Sequence, residues 1–254
     1  MKRRIVLALF GCILIVAAIS ACAASVTPEP TPTPTAVPPT PTFSPSDLVS
    51  KMHWFGTSSI LYHGSQDIYF DPVTLSGELP VADIILVSHA HSDHWSVDDL
   101  VKIIGPDTKL VISPNITLAY EAAKDTLGIP ATTLGMGETI EINGVTIKAV
   151  PAYGNGHPIE AQGEGFLVNV DGGQIYFAGG TGTYPEMADM TCDVALLPVY
   201  TSADILAMAE TVPAKIIIPL HTGQFAAGAY ATVLSQQVGG DKQFISLSSG
   251  PYQP

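Results

Sequence analysis

Four residues with metal-binding side chains fall within six positions, in the segment Ser88-His89-Ala90-His91-Ser92-Asp93-His94-Trp95. Imidazole nitrogens and a carboxylate oxygen are the donors that zinc takes in proteins. In extended backbone, alternate side chains lie on one side. His89, His91 and Asp93 therefore converge if the segment stays extended, and His94 joins them where the chain turns toward a helix at Ser96. The plainer reading is a polar loop in which histidines cluster by chance. Two further histidines weigh against it, each following an apolar run: His157 in Val150-Pro-Ala-Tyr-Gly-Asn-Gly-His157 and His221 in Ile216-Ile-Ile-Pro-Leu-His221. The glycines before His157 allow a close backbone approach to a site. His53 and His63 lack such a setting and read as ordinary strand or loop residues. Asp71-Pro72, after Tyr69-Phe70, reads either as a turn or as a carboxylate that orients a ligand histidine.

These side chains need strands to carry them. Short apolar runs bounded by Gly, Pro, Asp and Ser predict strands near 52–55, 58–62, 66–70, 83–88, 109–112, 139–142, 145–150, 164–170, 174–178, 193–197, 215–219 and 243–247. Helices are expected over 96–104, where Ser96 is a suitable cap, and over 114–127, which opens on a proline. Shorter ones are expected near 185–189, 202–210 and 226–238. Such an order predicts two packed sheets with helices outside, and leaves a doubly wound α/β fold as the alternative.

The chain has 254 residues, and its first part reads as something other than a fold. Met-Lys-Arg-Arg precedes an apolar run from Ile5 to Ile19, the grammar of a secretory signal. Ile19-Ser20-Ala21-Cys22 resembles a bacterial lipobox, so 1–21 is expected to be a lipoprotein signal peptide and Cys22 the lipidated residue. Residues 26–46 hold eight prolines and six threonines in 21 positions, a composition that favours a semi-rigid extended spacer. Residues 22–46 are therefore expected to carry the lipidated cysteine and the linker, and 47–254 to form the folded domain. The address is extracytoplasmic, with the lipid as the membrane contact.

Without the signal, seven lysines and no arginine face 23 acidic residues, a net charge of −16. This surface repels nucleic acid, and it offers no guanidinium fork for phosphate. A small-molecule substrate is the expected partner. Cys192 is the one cysteine of the expected domain, so no disulfide forms within it, and its place in an apolar run predicts a buried residue.

The pattern His-x-His-x-Asp-His at a strand end resembles the signature of the metallo-β-lactamase superfamily. The similarity runs from about residue 51 to 223, through Asp71-Pro72, Ser88–Trp95, Gly163–Met187, Asp193–Pro198 and Ile218–Gly223. Within the superfamily the chain looks most like the ascorbate-6-phosphate lactonase-like group. The resemblance implies an α/β fold, a four-layer αββα sandwich with metals at the sheets' edge. It places His89, His91 and His157 at one metal and Asp93, His94 and His221 at a second. It implies one or two zinc ions, with manganese as a substitute, and a zinc-bound hydroxide attacking a lactone, ester or amide. Asp93 would orient that nucleophile, and Tyr153, Asn155 or Thr181 would donate a hydrogen bond to the developing oxyanion. β-Lactam hydrolysis is the alternative activity. A degenerate metal- or ligand-binding lipoprotein without turnover is the alternative of a different class.

Two departures from the family pattern stand out. Where many members carry a metal-bridging aspartate in Gly-Asp-Thr-Gly, this chain has Gly179-Gly180-Thr181-Gly182. Gly180 has no side chain to coordinate with. And Gly56-Thr57 stands where related proteins often have Gly-His.

Overall fold

The computed structural model describes residues 43–154, 157–222 and 224–254. The expected signal peptide, Cys22 and nearly all of the expected linker lie outside the described residues, as does Asn155.

The first sheet is built from β1 (Met52–Gly56), β2 (Ser59–His63), β3 (Asp67–Phe70), β4 (Ile84–Val87), β5 (Lys109–Ile112) and β6 (Ala131–Thr133), in that spatial order. The second comprises β7 (Thr139–Ile142), β8 (Val145–Pro151), β9 (Glu164–Val170), β10 (Gly173–Phe177), β11 (Cys192–Pro198), β12 (Ala214–Leu220) and β13 (Gln243–Phe244), running in reverse order across the sheet. β3, β4, β5 and β6 pair in parallel, as do β10, β11, β12 and β13.

The strand period of two sorts the side chains into layers. Ile60, Tyr62, Ile68, Phe70, Ile84, Leu86 and Val111 pack against Val145, Ile147, Ala149, Phe166, Val168, Val194 and Ile216 between the sheets. Their neighbours Leu61, Tyr69, Ile85, Val87, Leu110 and Ile112 face outward onto Leu100, Ile103, Ala123 and Leu127. Those residues belong to α2 (Val97–Ile103) and α3 (Thr117–Leu127). On the other side Tyr176, Ala195, Leu197 and Ile217 meet Ile205, Met208 and Leu234, from α4 (Ser202–Thr211) and α5 (Gln224–Gln237). The result is the four-layer αββα sandwich. Ser96 caps α2 as expected, accepting from the Asp99 N–H, and α3 ends on Gly128 in the left-handed region.

Packing begins earlier than residue 47. A short helix, Pro45–Val49, carries buried Leu48, and Phe43 packs on the inter-sheet core. The phenyl ring of Phe43 fills the space above Gly173, where a Cβ would meet it at 2.2 Å. The Pro-rich composition hid this turn of helix, although a proline at the first helical position is compatible with it. β6 was also not expected, since only three residues pair and two of them are exposed threonines. The stretch 185–189 is a 3-10 turn. Cys192 is buried, and burial pushes its thiol up to about 12. No helix among the described residues is long and apolar enough to cross a membrane.

Candidate metal centre

Because β3 and β4 are parallel, Asp71 and the Ser88–Trp95 segment leave the first sheet at the same end. β10 and β12 are likewise joined in parallel through β11, which brings Ala178–Gly182 and His221 together. Asp71 and His221 both take positive φ, 42° and 59°, as the chain turns sharply off its strand. A non-glycine residue in that region is uncommon and needs its surroundings to hold it there.

The strand ends assemble two triads that share no residue. The ligating atoms of His89, His91 and His157 lie within 4.8 Å of one another, and so do those of Asp93, His94 and His221. His89 Nε2 is 3.1 Å from His91 Nδ1, and His221 Nε2 is 3.0 Å from Asp93 Oδ2. The rings of His89 and His94, one from each triad, have centroids 3.9 Å apart. All six residues that the sequence put forward as ligands are therefore in one place.

A second carboxylate lies behind both triads. Asp71, fully buried, accepts from His94 Nδ1 at 2.5 Å, from the Ser88 N–H at 2.7 Å and from the Ser88 hydroxyl at 2.6 Å. The Ser88 oxygen is in turn 3.0 Å from His89 Nδ1 and accepts its proton. Of the two readings of Asp71, the structure takes the orienting carboxylate. Asp71 fixes one imidazole directly and a second through Ser88, so that both present Nε2 to the cluster. His94 Nε2 is buried and has no hydrogen-bond partner among the described residues. A buried nitrogen left so is costly unless something else meets it.

The electrostatics favour deprotonated donors. Burial, reinforced by His94, His91, His157 and His221, lowers His89 to about 2. His221 is lowered by burial and by His94, with Asp93 opposing. Burial alone would raise Asp93, but His94, a backbone hydrogen bond and His221 hold it below the usual carboxylate value. The lowered His89 and His221 imidazoles beside an ionised Asp93, with a buried His94 nitrogen that has no hydrogen-bond partner among the described residues, suit a divalent cation.

Gly180 lies directly against this cluster. A Cβ there would sit 2.6 Å from His89 Cε1 and 3.0 Å from Nε2. The His89 imidazole thus occupies the space beside Gly180 into which an aspartate side chain would have to grow. The other departure, Thr57, also has a structural role. Its backbone is left-handed at φ 47°, and its carbonyl accepts from the His221 N–H at 2.8 Å and from Trp54 Nε1 at 3.0 Å. The turn between β1 and β2 therefore holds the loop that carries His221.

The hydroxyls expected to serve an oxyanion are otherwise engaged. Tyr153 donates to Glu186 at 2.7 Å at the surface. Thr181 is fully buried and donates to the Tyr153 and Gly182 carbonyls, clamping the loop that leads to His157. Tyr200, which sequence reasoning missed, is better placed. Its ring lies 4.8 Å from that of His221 and 6.4 Å from that of His157, between the two triads. Burial pushes its hydroxyl up to about 12, with Asp93 and Asp71 adding to the effect. The available signal was its position just past the end of β11, in register with the other strand-end residues. His53 bonds the Gly250 carbonyl and His63 the Asp67 carboxylate, and neither enters a triad.

Comparison with known proteins agrees with this geometry. The family model described as "Beta-lactamase superfamily domain" matches residues 51–221. A metal-dependent hydrolase of Methanosphaerula palustris is 30% identical over 196 residues, covering 70% of this chain and 85% of that protein. One from Pelotomaculum thermopropionicum is 33% identical over 197 residues, covering 67% and 83%. Among solved structures, a protein of Parabacteroides distasonis assigned as a metal-dependent hydrolase superposes with a TM-score of 0.65 at 25% identity, covering 78% of this chain and 93% of that one. The diiron β-hydroxylase CmlA of Streptomyces venezuelae, with a TM-score of 0.59 at 11% identity, covering 77% and 52%, shares the fold alone. The strand-end triads, the buried Asp71 behind them and the matched span together place this chain in the metallo-β-lactamase superfamily, among its metal-dependent hydrolases.

Proposed function

We propose that this hydrolase acts on a lactone, ester or amide, with one divalent cation, zinc by preference, held by His89, His91 and His157 and a second by Asp93, His94 and His221. The observation that carries the reading is Asp71, which orients one histidine of each triad from a fully buried position. A cluster without a ligand to hold would not need two imidazoles aimed at a common point.

A bound zinc supplies a Lewis acid and water that ionises near neutral pH. The chain's own groups supply the rest. Asp93, ionised and 46% exposed at its side chain, accepts a hydrogen bond from the attacking water and aligns it. Tyr200 keeps its proton at neutral pH and donates a hydrogen bond to the developing oxyanion, the role that sequence alone offered to Tyr153, Asn155 or Thr181. Asp71 and Ser88 prevent the histidines from turning away. With Gly180 in place of a bridging carboxylate, this hydrogen-bonded support and the packing of His89 on His94 link the two triads.

The test is elemental analysis of the purified protein beside hydrolysis of a panel of lactones, esters, amides, β-lactams and bis-aryl phosphates. Two zinc ions per chain with turnover of an acyl substrate is the expected result. His91→Ala should lose both metal and turnover. A wild-type protein that binds no zinc or manganese would overturn the reading, and bound metal without turnover on any member would leave a binding protein.

Sequence further supports the reading that the signal is cleaved before Cys22, and that the domain is held outside the cytoplasm by a lipid on that residue. Metabolic labelling with a radioactive fatty acid should mark the wild type and not Cys22→Ala. Equal labelling of both would discard the anchor.

A further inference from the structure

Beside Asp93 and His221 a cleft of about 630 Å³ opens to the surface. Its remaining walls include Phe55 from β1, Thr57 from the turn after it, Thr74 from the loop after β3, Thr222 beside His221, and Ser249 from the C-terminal segment. Seven non-glycine residues among those described have positive φ. Three of them, Thr57 at 47°, Thr74 at 56° and His221 at 59°, line this cleft. Threonine is β-branched, and a left-handed threonine is strained wherever it occurs. Both threonines are held by bonds to their own or the adjacent backbone: the Thr57 carbonyl by His221 and Trp54, the Thr74 and Leu75 N–H groups by Asp99. Strain gathered at one cleft and fixed from behind marks a preorganised surface.

The chemistry of that surface is narrow. No lysine or arginine lines it among the described residues, and its one charged side chain is Asp93. Lys102, which could reach toward Thr74, donates instead to Asp99 and to the Leu75 carbonyl. Four hydroxyl side chains, those of Thr57, Thr74, Thr222 and Ser249, and the Phe55 ring remain beyond the triads. Away from the ion that Asp93 and His221 would hold, an anionic group bound on these walls would lose water and find no cationic side chain, whereas neutral hydroxyls would find partners.

We propose that this cleft binds an uncharged, hydroxyl-bearing part of the substrate, so that the enzyme takes neutral polyhydroxy lactones and discriminates against their phosphate esters. The inference rests on the hydrolase reading above. The reaction adds water across the acyl C–O bond: hydroxyl joins the carbonyl carbon, the ring oxygen leaves with the proton, and a hydroxy acid results.

D-glucono-δ-lactone and its 6-phosphate differ in the one group at issue. With metal-loaded wild-type protein and correction for uncatalysed ring opening, kcat/KM should favour the neutral lactone by about tenfold or more. Gluconate should also bind more tightly than 6-phosphogluconate by calorimetry, a comparison that needs no turnover. Thr57→Lys should narrow both gaps without changing the bound metal. Ser249→Lys serves the same purpose on the opposite wall should the Thr57 variant fail to fold. Equal or better use of the phosphorylated lactone by the wild type would overturn the inference and leave the hydrolase reading standing. So would turnover of other acyl substrates with neither lactone cleaved nor its product bound. Failure on the entire acyl panel would overturn both.

Discussion

Asp71 Oδ2 accepts from His94 Nδ1 at 2.5 Å in a pair buried from solvent, and the same carboxylate reaches His89 through Ser88. One acidic side chain therefore sets the direction of an imidazole in each triad. Removing it should cost metal affinity as well as stability, since buried donors on His94 and Ser88 lose their acceptor. Asp71→Ala is expected to weaken zinc affinity by about 10- to 100-fold, measured by competition against a chromophoric chelator. Ser88→Ala should produce a smaller loss confined to the triad of His89. Unchanged affinity in Asp71→Ala would show that the histidines hold their directions without it.

Gly180 makes a second prediction against intuition. An aspartate introduced there would seem to supply a bridging ligand, but any Cβ at this position comes within 2.6 Å of His89 Cε1. Gly180→Ala should displace the imidazole and weaken metal binding by about tenfold, and Gly180→Asp should do no better. A tighter second metal in Gly180→Asp, by the same chelator competition, would show that His89 yields readily.

Glu164 supplies a pH signature. It is 1% exposed, Oε2 has no hydrogen-bond partner among the described residues, and burial raises its carboxyl to about 7, with Glu138 adding and a hydrogen bond from the Met136 backbone opposing. An acid whose pKa is higher in the folded state holds its proton there after the unfolded chain has released it. Stability therefore falls as pH rises from about 4.5 to about 7, by at most about 3 kcal/mol. Glu164→Gln should flatten this slope and raise the urea midpoint at pH 8 more than at pH 5. An unaltered pH dependence would remove Glu164 as its source.

Asp99 tests the support of the cleft. From α2 it accepts from the Thr74 N–H at 2.9 Å and the Leu75 N–H at 3.1 Å, and pairs with Lys102 at 2.7 Å. Asp99→Ala leaves two backbone donors without their acceptor and should cost about 1–3 kcal/mol. Chemical denaturation gives the stability change, and KM should rise more than kcat falls if the Thr74 wall loosens.

Much of this was legible in the chain, for identifiable reasons. Continuous apolar runs such as Ile60-Leu61-Tyr62 and Ile84-Ile85-Leu86 name strands buried on both faces, and the turn residues between them set their ends. His89, His91, Asp93 and His94 were found because spacing within one segment is local information. His157 and His221 followed from the apolar runs before them. Asp71 was left between two readings because its partner is 23 residues away, a relation that only the parallel pairing of β3 and β4 creates. Tyr200 carries no motif, and its ring matters only because β11 and β12 end side by side. The first helix was lost in a proline-rich composition, and β6 was too short and polar to show a period.

Residues 249–252 run beside β1, the outermost strand of the first sheet: Ser249 bridges Trp54, the Gly250 N–H donates to the Trp54 carbonyl, and Tyr252 bridges Gly77. An uncovered outermost strand is a template for pairing with another chain. These residues follow every strand described, so β1 stays uncovered until the thirteen strands of the described residues have been made. A nascent or truncated chain that stops short of Ser249 would carry a nearly finished sandwich with an open, self-adhesive rim, and would be prone to aggregate before it could bind metal.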